Sequence, residues 1–167
     1  MVVRRVLGLL ILGWLTLLSG CGGSDSAGLV KGEATPRFEL QRLDGEVMHF
    51  PEDFAGQVVV IRFWADWCPF CEGEMKAIEP VYRKYRDRGL RILALNVRQD
   101  RDTAAAFIDK LGISYDALLD QEGAVARAYG VIGLPTTFIL DRQGHLATRI
   151  LGESSAELFE QIVSDRL

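Results

Sequence analysis

The chain has 167 residues, enough for one domain with a sizeable hydrophobic core and too few for two comfortable ones. Its 19 lysine and arginine residues are outnumbered by 23 aspartate and glutamate residues, so the formal net charge at pH 7 is −4. An acidic domain has no electrostatic reason to bind nucleic acid or anionic lipid, and we expect neither as a partner.

An export signal is predicted at the start of the chain. Two arginines within the first five residues precede an apolar run over residues 6–18. As a helix this run would span about 20 Å, against about 30 Å for the hydrocarbon core of a bilayer, so it is too short to cross one. The sequence LSGC at residues 18–21 resembles the bacterial lipoprotein box, in which the cysteine is lipidated. We predict a lipoprotein signal peptide over residues 1–20 and lipidation of Cys21, with a plain signal peptide as the alternative.

Residues 21–35 are rich in Gly, Ser and Ala without an apolar period, which is typical of a flexible tether. The folded domain is therefore predicted over residues 36–167. Its first element is a β-hairpin, because apolar and polar residues alternate over residues 38–50 on either side of Asp44 and Gly45. Asp-Gly between two alternating runs is the strongest short hairpin signal.

Two apolar runs predict strands at the centre of a sheet. QVVVIRFWA at residues 57–65 and LRILALNV at residues 90–97 have the composition of strands buried on both faces. A helix is predicted between them, from about residue 69 to residue 88. The order strand, helix, strand predicts a parallel pair with a right-handed crossover.

The rest of the chain continues the α/β pattern without a repeat. The next helix is expected to have Asp102 or Thr103 as its N-cap and to stop at Gly112. The other expected elements are a strand near residues 114–118, a helix over residues 121–129, an antiparallel hairpin of residues 136–141 and 145–151, and an amphipathic helix over residues 154–166.

Cys68 and Cys71 lie between the first central strand and the helix that follows it. Cys68 would lie at the helix N-terminus, where free N–H groups and the helix dipole favour a thiolate, so it is predicted to be the nucleophile. Cys71 lies one turn later on nearly the same face, within reach of a disulfide, and is predicted to be the resolving thiol. The spacing predicts a redox-active disulfide.

Three other interpretations of the pair fit less well. A structural disulfide that closes so short a loop would contribute little stability. A zinc site needs about four ligands, and beyond the pair there are only His49 and His145. A peroxidatic cysteine usually has a threonine three residues before it, where this chain has Ala65. We therefore predict neither a metal nor another cofactor.

Two motifs together resemble the thioredoxin superfamily and, within it, the membrane-tethered TlpA and ResA group of thiol reductases. They are FWADWCPFC at residues 63–71 and GVIGLPTTFILDRQG at residues 130–144. A lone CxxC is a weak signal, but this pair of motifs at this separation is specific. The resemblance runs from about Pro36 to the C-terminus. It implies a thioredoxin-like α/β fold, a central mixed sheet flanked by helices, with an N-terminal β-hairpin and a βα insertion.

In that family the proline of the second motif follows a cis peptide bond. The resemblance implies that the bond between Leu134 and Pro135 is cis and lies beside Cys68. Pro135 offers no N–H group, while the backbone of Leu134 would stay free to pair with an extended substrate segment. The alternative is an ordinary turn proline.

Glu74 is predicted to point inward from the helix that follows the cysteines. Helical spacing places it on a stripe with Ile78, Val81 and Tyr85. A second, wholly charged stripe consists of Glu72, Lys76, Glu79 and Arg83. Glu74 also matches an acid that ResA-like reductases use beside their active site, where it would repel a thiolate at Cys71 and accept its proton. The alternative is a structural glutamate that pairs with Arg62, which stands where thioredoxin has a buried aspartate.

The residues between the cysteines bear on the direction of electron flow. Strong oxidants of the superfamily resemble this chain in having proline first, here Pro69, but they place a histidine second. Phe70 supplies neither the charge nor the hydrogen bond of that histidine, so we expect a reductant. The alternatives are a thiol oxidase of the same fold, a non-catalytic metal carrier and a binding module that retains only the fold.

The expected function is that of an extracytoplasmic, periplasm-facing thiol:disulfide oxidoreductase that reduces disulfides of exported proteins, with cytochrome c maturation as one use. Thr136 stands where one branch of cytochrome-maturation reductases has a glutamate, which argues against a specific cytochrome role. The resemblance also implies a transmembrane electron donor of the DsbD or CcdA type. The expected docking face consists of Trp67, Phe70, Leu134 and Pro135, whereas Trp64 is expected in the core.

Overall fold

The structure is a computed structural model that describes residues 28–167. The predicted signal peptide, the lipidation of Cys21 and residues 21–27 of the predicted tether lie outside the described residues. No helix in the described part of the chain is both long and apolar enough to span a membrane.

A single mixed sheet of seven strands forms the centre of the domain. The strands are β1 (Phe38–Arg42), β2 (Val47–Phe50), β3 (Val58–Trp64), β4 (Leu90–Val97), β5 (Asp116–Asp120), β6 (Thr136–Leu140) and β7 (Leu146–Leu151). Their order across the sheet is β2-β1-β5-β4-β3-β6-β7. The strand pairs β3–β4 and β4–β5 are parallel, and the remaining neighbours are antiparallel. The predicted parallel βαβ unit and both predicted hairpins are therefore confirmed.

Helices cover both faces of this sheet. They are α1 (Cys71–Tyr85), α2 (Arg101–Leu111), α3 (Ala124–Ala128) and α4 (Ala156–Ser164). Apolar residues of α1, α2 and α4 form one core cluster with one face of the sheet. Residues of α3 and of the β1–β2 hairpin pack in a second cluster on the other face. The predicted thioredoxin-like α/β fold, with its leading hairpin and its βα insertion, is confirmed.

Strand β3 lies between the two clusters, and all of its residues are buried. Because side chains alternate along a strand, Val60 and Trp64 pack on the α1 side while Ile61 and Phe63 pack on the opposite side. Arg62 lies between Ile61 and Phe63 in sequence, so it projects from the α1 face although it is charged. A buried arginine on a central strand needs a partner, and α1 is the element that faces it.

Several boundaries differ from the sequence prediction. Helix α1 begins at Cys71 rather than near residue 69, and a separate 3₁₀ turn covers residues 86–88. The N-cap of α2 is Asp100, whose carboxylate accepts a hydrogen bond from the Thr103 N–H at 2.7 Å. The predicted N-cap, Asp102 or Thr103, was wrong because several polar residues in a row each suit a cap, and only the backbone geometry selects one. The stop of α2 at Gly112 is confirmed, with φ at +64°.

The remaining elements are shorter than predicted or displaced. Helix α3 has five residues, and β5 begins and ends two residues after the predicted strand. The end of the predicted tether joins the domain, because the Gly32 N–H donates to the Leu146 carbonyl at 2.8 Å and the Leu146 N–H donates to the Glu33 carbonyl at 2.9 Å. The hydrogen-bonded part of the domain therefore begins before residue 36.

Candidate active site

The cysteine pair lies in the connection between β3 and α1, at the C-terminal end of β3. A disulfide joins Cys68 and Cys71, with their Cα atoms 5.4 Å apart. The Cys68 N–H donates to the Ala65 carbonyl, and the Cys71 N–H donates to the Cys68 carbonyl at 3.1 Å. Cys71 is the first residue of α1, so Cys68 precedes the helix by one tight turn instead of opening it. Cys71 has no exposed surface and Cys68 is 2% exposed, so Cys68 is the cysteine of the pair with some access to solvent.

A polar bridge ties the turn before the cysteines to the loop after β4. The Gln99 Oε1 atom accepts a hydrogen bond from the Asp66 N–H at 3.0 Å, and the Gln99 Nε2 donates to Asp66 Oδ1 at 2.5 Å. The buried Asn96 donates to the same Gln99 Oε1 at 2.8 Å. The side chain of Gln99 thereby positions the residue two places before Cys68. This bridge was not predicted from the sequence, and the polar Asn96 at the end of an apolar strand was the one local signal of it.

Glu74 points inward, as predicted, and is 5% exposed. Its Oε2 accepts a hydrogen bond from Arg62 Nη2 at 2.6 Å, and its Oε1 accepts one from Ser154 Oγ at 2.8 Å. Arg62 is fully buried and also donates to Thr137 Oγ1 at 3.1 Å. The pairing with Arg62 considered from the sequence is therefore present, whereas the contributions of Ser154 and Thr137 were not foreseen.

Glu79 belongs to the charged stripe of α1, but it is buried. It is 9% exposed and accepts hydrogen bonds from the Ser114 N–H at 3.0 Å and the Ser114 Oγ at 2.6 Å, as well as from Arg83. Burial alone would raise the pKa of Glu79, but the hydrogen bonds from Ser114 and Arg83 outweigh it and hold the pKa below the ordinary value. Glu79 therefore anchors α1 to the segment that leads into β5.

Tyr115 forms a second anchor for α1. Its hydroxyl donates to the Met75 carbonyl at 2.9 Å, and burial raises the pKa of Tyr115 above its ordinary value. This hydroxyl consequently stays protonated and remains a donor to the first turns of the helix that carries Cys71.

The loop before β6 reaches the same edge of the sheet as the cysteines. Thr136 pairs with Phe63 near the end of β3, and the peptide bond between Leu134 and Pro135 is cis, as the resemblance implied. A second cis bond, between Phe50 and Pro51, was not foreseen. Pro135 is buried, and its carbonyl accepts a hydrogen bond from the Gly152 N–H at 2.9 Å. Within residues 28–167, no backbone hydrogen bond involves Leu134.

Large apolar side chains are exposed around this edge. Trp67 is 68% exposed and Phe70 is 53% exposed, whereas Trp64 is wholly buried and stacks on Phe107. The predicted division between a surface and a core tryptophan is therefore confirmed. Ile132 is also exposed, at 92%.

A cavity of about 650 Å³, which we call the lateral cavity, opens beside Trp67. Its lining includes Trp67, Arg98, Gly123, Arg127, Val131 and Leu134. Neither arginine was predicted from the sequence to be a site residue. In the described part of the chain, no group of three or more His, Cys, Asp or Glu side chains is arranged to hold a metal ion.

Comparisons with known proteins agree with this geometry. The AhpC/TSA family profile matches residues 31–149. A thiol-disulfide oxidoreductase ResA from Geobacillus thermodenitrificans is 34% identical over 138 residues, which cover 83% of this chain and 79% of that protein. A protein of the same name from Bacillus cereus is 32% identical over 130 residues, which cover 78% of this chain and 75% of that protein.

Solved structures have the same fold. A crystal structure described as a thiol:disulfide interchange protein DsbE from Chlorobium tepidum superposes with a TM-score of 0.78 at 30% identity, covering 83% of this chain and 99% of that one. StoA from Bacillus subtilis superposes with a TM-score of 0.67 at 23% identity, covering 77% of this chain and 97% of that one. The second likeness concerns the fold alone.

Proposed function

The chain belongs to the AhpC/TSA family of thioredoxin-like proteins and is a thiol-disulfide oxidoreductase of the ResA type, and on that basis we propose that it reduces protein disulfides outside the cytoplasm. The observation that carries the proposal is the disulfide between Cys68 and Cys71. It lies just after the end of a central strand; the exposed Trp67 directly precedes Cys68, and the exposed Phe70 lies between the two cysteines.

The proposed reaction is two successive thiol–disulfide exchanges. In the reduced protein, the thiolate of Cys68 attacks one sulfur of a substrate disulfide, and the other substrate sulfur leaves as a thiolate that takes up a proton. The thiol of Cys71 then loses its proton and attacks the sulfur of Cys68. This step releases the second substrate thiol and forms the disulfide between Cys68 and Cys71. The substrate gains two electrons, and the protein loses the same two electrons as its cysteines form the disulfide.

Glu74 is proposed to accept the proton that Cys71 loses. It lies one helical turn after Cys71, and its hydrogen bonds to Arg62 and Ser154 occupy two acceptor positions. A carboxylate has about four such positions, so these bonds leave capacity for a proton. In Glu74→Gln, release of substrate from a preformed mixed disulfide at Cys68 should slow at neutral pH, and the difference from the wild type should shrink at alkaline pH, where the Cys71 thiol ionises without a base. A purely structural glutamate would change the stability and leave that pH profile unchanged.

Substrate docking is proposed to involve Trp67, Phe70 and Leu134. The two aromatic rings offer exposed apolar area, and the Leu134 backbone is available to add an extended substrate strand. Pro135 is buried, so its proposed contribution is to present the neighbouring Leu134 backbone and not its own ring.

The direction of electron flow is proposed from Phe70, which cannot stabilise a Cys68 thiolate as a histidine would. Because the space outside the cytoplasm is kept oxidising, a reductant there needs a supply of electrons, for which we propose a transmembrane donor of the DsbD or CcdA type. Lipidation at Cys21, after removal of residues 1–20, would hold the domain near such a donor on the periplasmic side. Exported proteins with disulfides are the proposed substrates, and apocytochrome c is one candidate.

An equilibrium redox titration against glutathione tests the direction. We expect a potential below about −200 mV, and a potential well above that value would identify a thiol oxidase. Stoichiometric copper or zinc in the purified protein, lost in Cys68→Ser, would identify a metal carrier instead.

Trapping with Cys71→Ala tests the substrate class. This variant forms mixed disulfides at Cys68 that it cannot resolve, so exported partners should accumulate on it. The matched control is the Cys68→Ala/Cys71→Ala variant, which lacks the nucleophile. Equal recovery of partners on both variants would contradict the proposed role of Cys68.

Lipid labelling of the wild type and Cys21→Ser tests the anchor. Label and membrane association should both be lost in the variant. Retention of the label would contradict the proposed lipidation site.

A further inference from the structure

The lateral cavity beside Trp67 is lined by two arginines that form no ion pair with any residue of the described range 28–167. Arg98 and Arg127 both line it and both are exposed. Within residues 28–167, the arginines that form ion pairs are Arg37, Arg42, Arg62, Arg83 and Arg86. The one side-chain hydrogen bond of the pair joins Arg127 Nη1 to the Glu122 carbonyl at 2.7 Å. The cavity is therefore a local positive site on a chain whose net charge is −4.

Both its backbone conformation and its neighbour Gly123 determine the position of Arg98. Its φ is +59°, and it is the one non-glycine residue with positive φ in the described part of the chain. Its N–H donates to the Asp120 carbonyl at 3.0 Å. The Arg98 side chain crosses over Gly123, where an added Cβ would lie 2.7 Å from Arg98 Nε. Strained residues held in place by their surroundings concentrate at functional sites, and a glycine at position 123 leaves the room that Arg98 needs.

The walls of the lateral cavity favour recognition of a carboxylate on an otherwise apolar segment. Guanidinium groups bind carboxylates through paired hydrogen bonds. Trp67, Val131 and Leu134 supply apolar wall next to the two arginines. Leu134 is also the residue whose backbone is free to pair with an extended chain, so a segment that pairs there would lie next to the cavity wall.

We propose that Arg98 and Arg127 are specificity-determining residues that select disulfide substrates with an acidic side chain close to the reacting cysteine. This proposal rests on the proposed function, because it concerns the substrates of the same site. The occupant is an extended acidic segment of a protein, and its carboxylate lies between the two guanidinium groups.

Binding without redox chemistry tests the arginines directly. The binding affinities of two fluorescently labelled peptides for the oxidised full chain are compared. In both peptides a serine replaces the reacting cysteine. The peptides differ at one position, two residues from that serine, where one has Glu and the other has Gln. We expect the Glu peptide to bind about two- to tenfold more tightly at low ionic strength, and salt to reduce the difference. Equal affinities would overturn the proposal.

Variants test whether the two arginine side chains cause the preference for the Glu peptide. Arg98→Gln and Arg127→Gln should each lower the ratio of the two affinities, and the double variant should bring it to about one. Arg98→Gly removes the guanidinium while suiting the positive φ, so it should give the same result without backbone strain. The matched control is Arg149→Gln, which removes the same charge from an exposed position on β7. A ratio that falls equally in the control would overturn the proposal, because net charge would then explain it.

Failure of the proposed function is distinguishable from failure of this inference. If the reduced protein does not reduce the disulfide form of the Gln peptide, the proposed function fails, while the binding ratio still decides whether the arginines select acid. If it reduces Glu and Gln disulfide peptides with equal kcat/KM, the function stands and the selection is overturned. If glutathione disulfide, which also carries carboxylates, displaces the Glu peptide at equal concentration, the arginines serve a small anion and the peptide proposal is overturned.

Discussion

Arg62 and Glu74 form a buried ion pair that joins the central strand β3 to helix α1. Arg62 Nη2 lies 2.6 Å from Glu74 Oε2, and the two side chains are 0% and 2% exposed. Thr137 of β6 and Ser154, just before α4, complete the hydrogen bonding. The pair and its hydrogen bonds thus link β3, α1, β6 and the segment before α4, close in sequence to Cys71.

The first prediction concerns the stability of this pair. Glu74→Gln leaves the Arg62 charge buried without a counter-charge, so the free energy of unfolding should fall by about 3 kcal/mol or more. The double variant Arg62→Met/Glu74→Leu should recover most of that loss, because it removes both charges and fills the space with apolar atoms. Denaturant unfolding measures both changes. Glu72→Gln, at a half-buried position of the same helix, is the control and should lose much less, because the ion pairs of Glu72 with Lys76 and Lys110 lie near the surface. Equal losses in Glu72→Gln and Glu74→Gln would refute the importance of burial.

The second prediction concerns the bridge between Gln99 and Asp66. Gln99→Ala removes both hydrogen bonds to Asp66 and leaves the amide of the buried Asn96 without its acceptor, so stability should fall by about 1–3 kcal/mol. The rate of thiol–disulfide exchange should fall as well, because the turn before Cys68 loses its support. Gln143→Ala, at an exposed turn position, is the control. An unchanged exchange rate in Gln99→Ala would show that the bridge does not position the cysteines.

The third prediction concerns docking at Trp67. Trp67→Ala should lower kcat/KM for a protein disulfide by about tenfold while leaving the free energy of unfolding nearly unchanged, because the ring is largely exposed. The kcat/KM for thiol–disulfide exchange with a small dithiol should fall much less. Val47→Ala, an exposed apolar residue on the outer strand β2, is the control. Equal losses of kcat/KM with the protein and the small dithiol would argue against docking.

The fourth prediction concerns acid stability at Glu79. Its pKa in the folded protein lies below the ordinary value of 4.5, so its contribution to stability is complete above about pH 4.5 and is lost as the pH falls through the lower folded pKa. Glu79→Gln should therefore be destabilised by about 1–2 kcal/mol at neutral pH, and the difference from the wild type should shrink below about pH 4.5. Denaturant unfolding curves recorded from neutral pH to below about pH 4.5 measure this difference in the free energy of unfolding. The control is Glu122→Gln, at an exposed position. A difference that does not depend on pH would contradict the assignment to the Glu79 charge.

Much of the fold can be predicted from neighbouring residues alone. The hairpin at Asp44 and Gly45, the buried strands β3 and β4, and the hairpin of β6 and β7 all follow from alternation and turn residues within a few positions. The inward direction of Glu74 likewise follows from helical spacing. Such signals act over one or two turns of chain, which is why the elements were predicted correctly while their ends shifted by a few residues.

The partners of the site residues could not be predicted in this way. Ser154 lies 80 residues from Glu74, and Gln99 lies 33 residues from Asp66. The meeting of Arg98 with Gly123 likewise depends on how the loops after β4 and β5 approach each other. By itself, the sequence determined which elements form, where the cysteine pair lies and which family motifs accompany it. Only the tertiary structure decided what Glu74 binds, what supports the turn before Cys68 and which charges line the cavity, because those contacts depend on strand order and register, which no local pattern specifies.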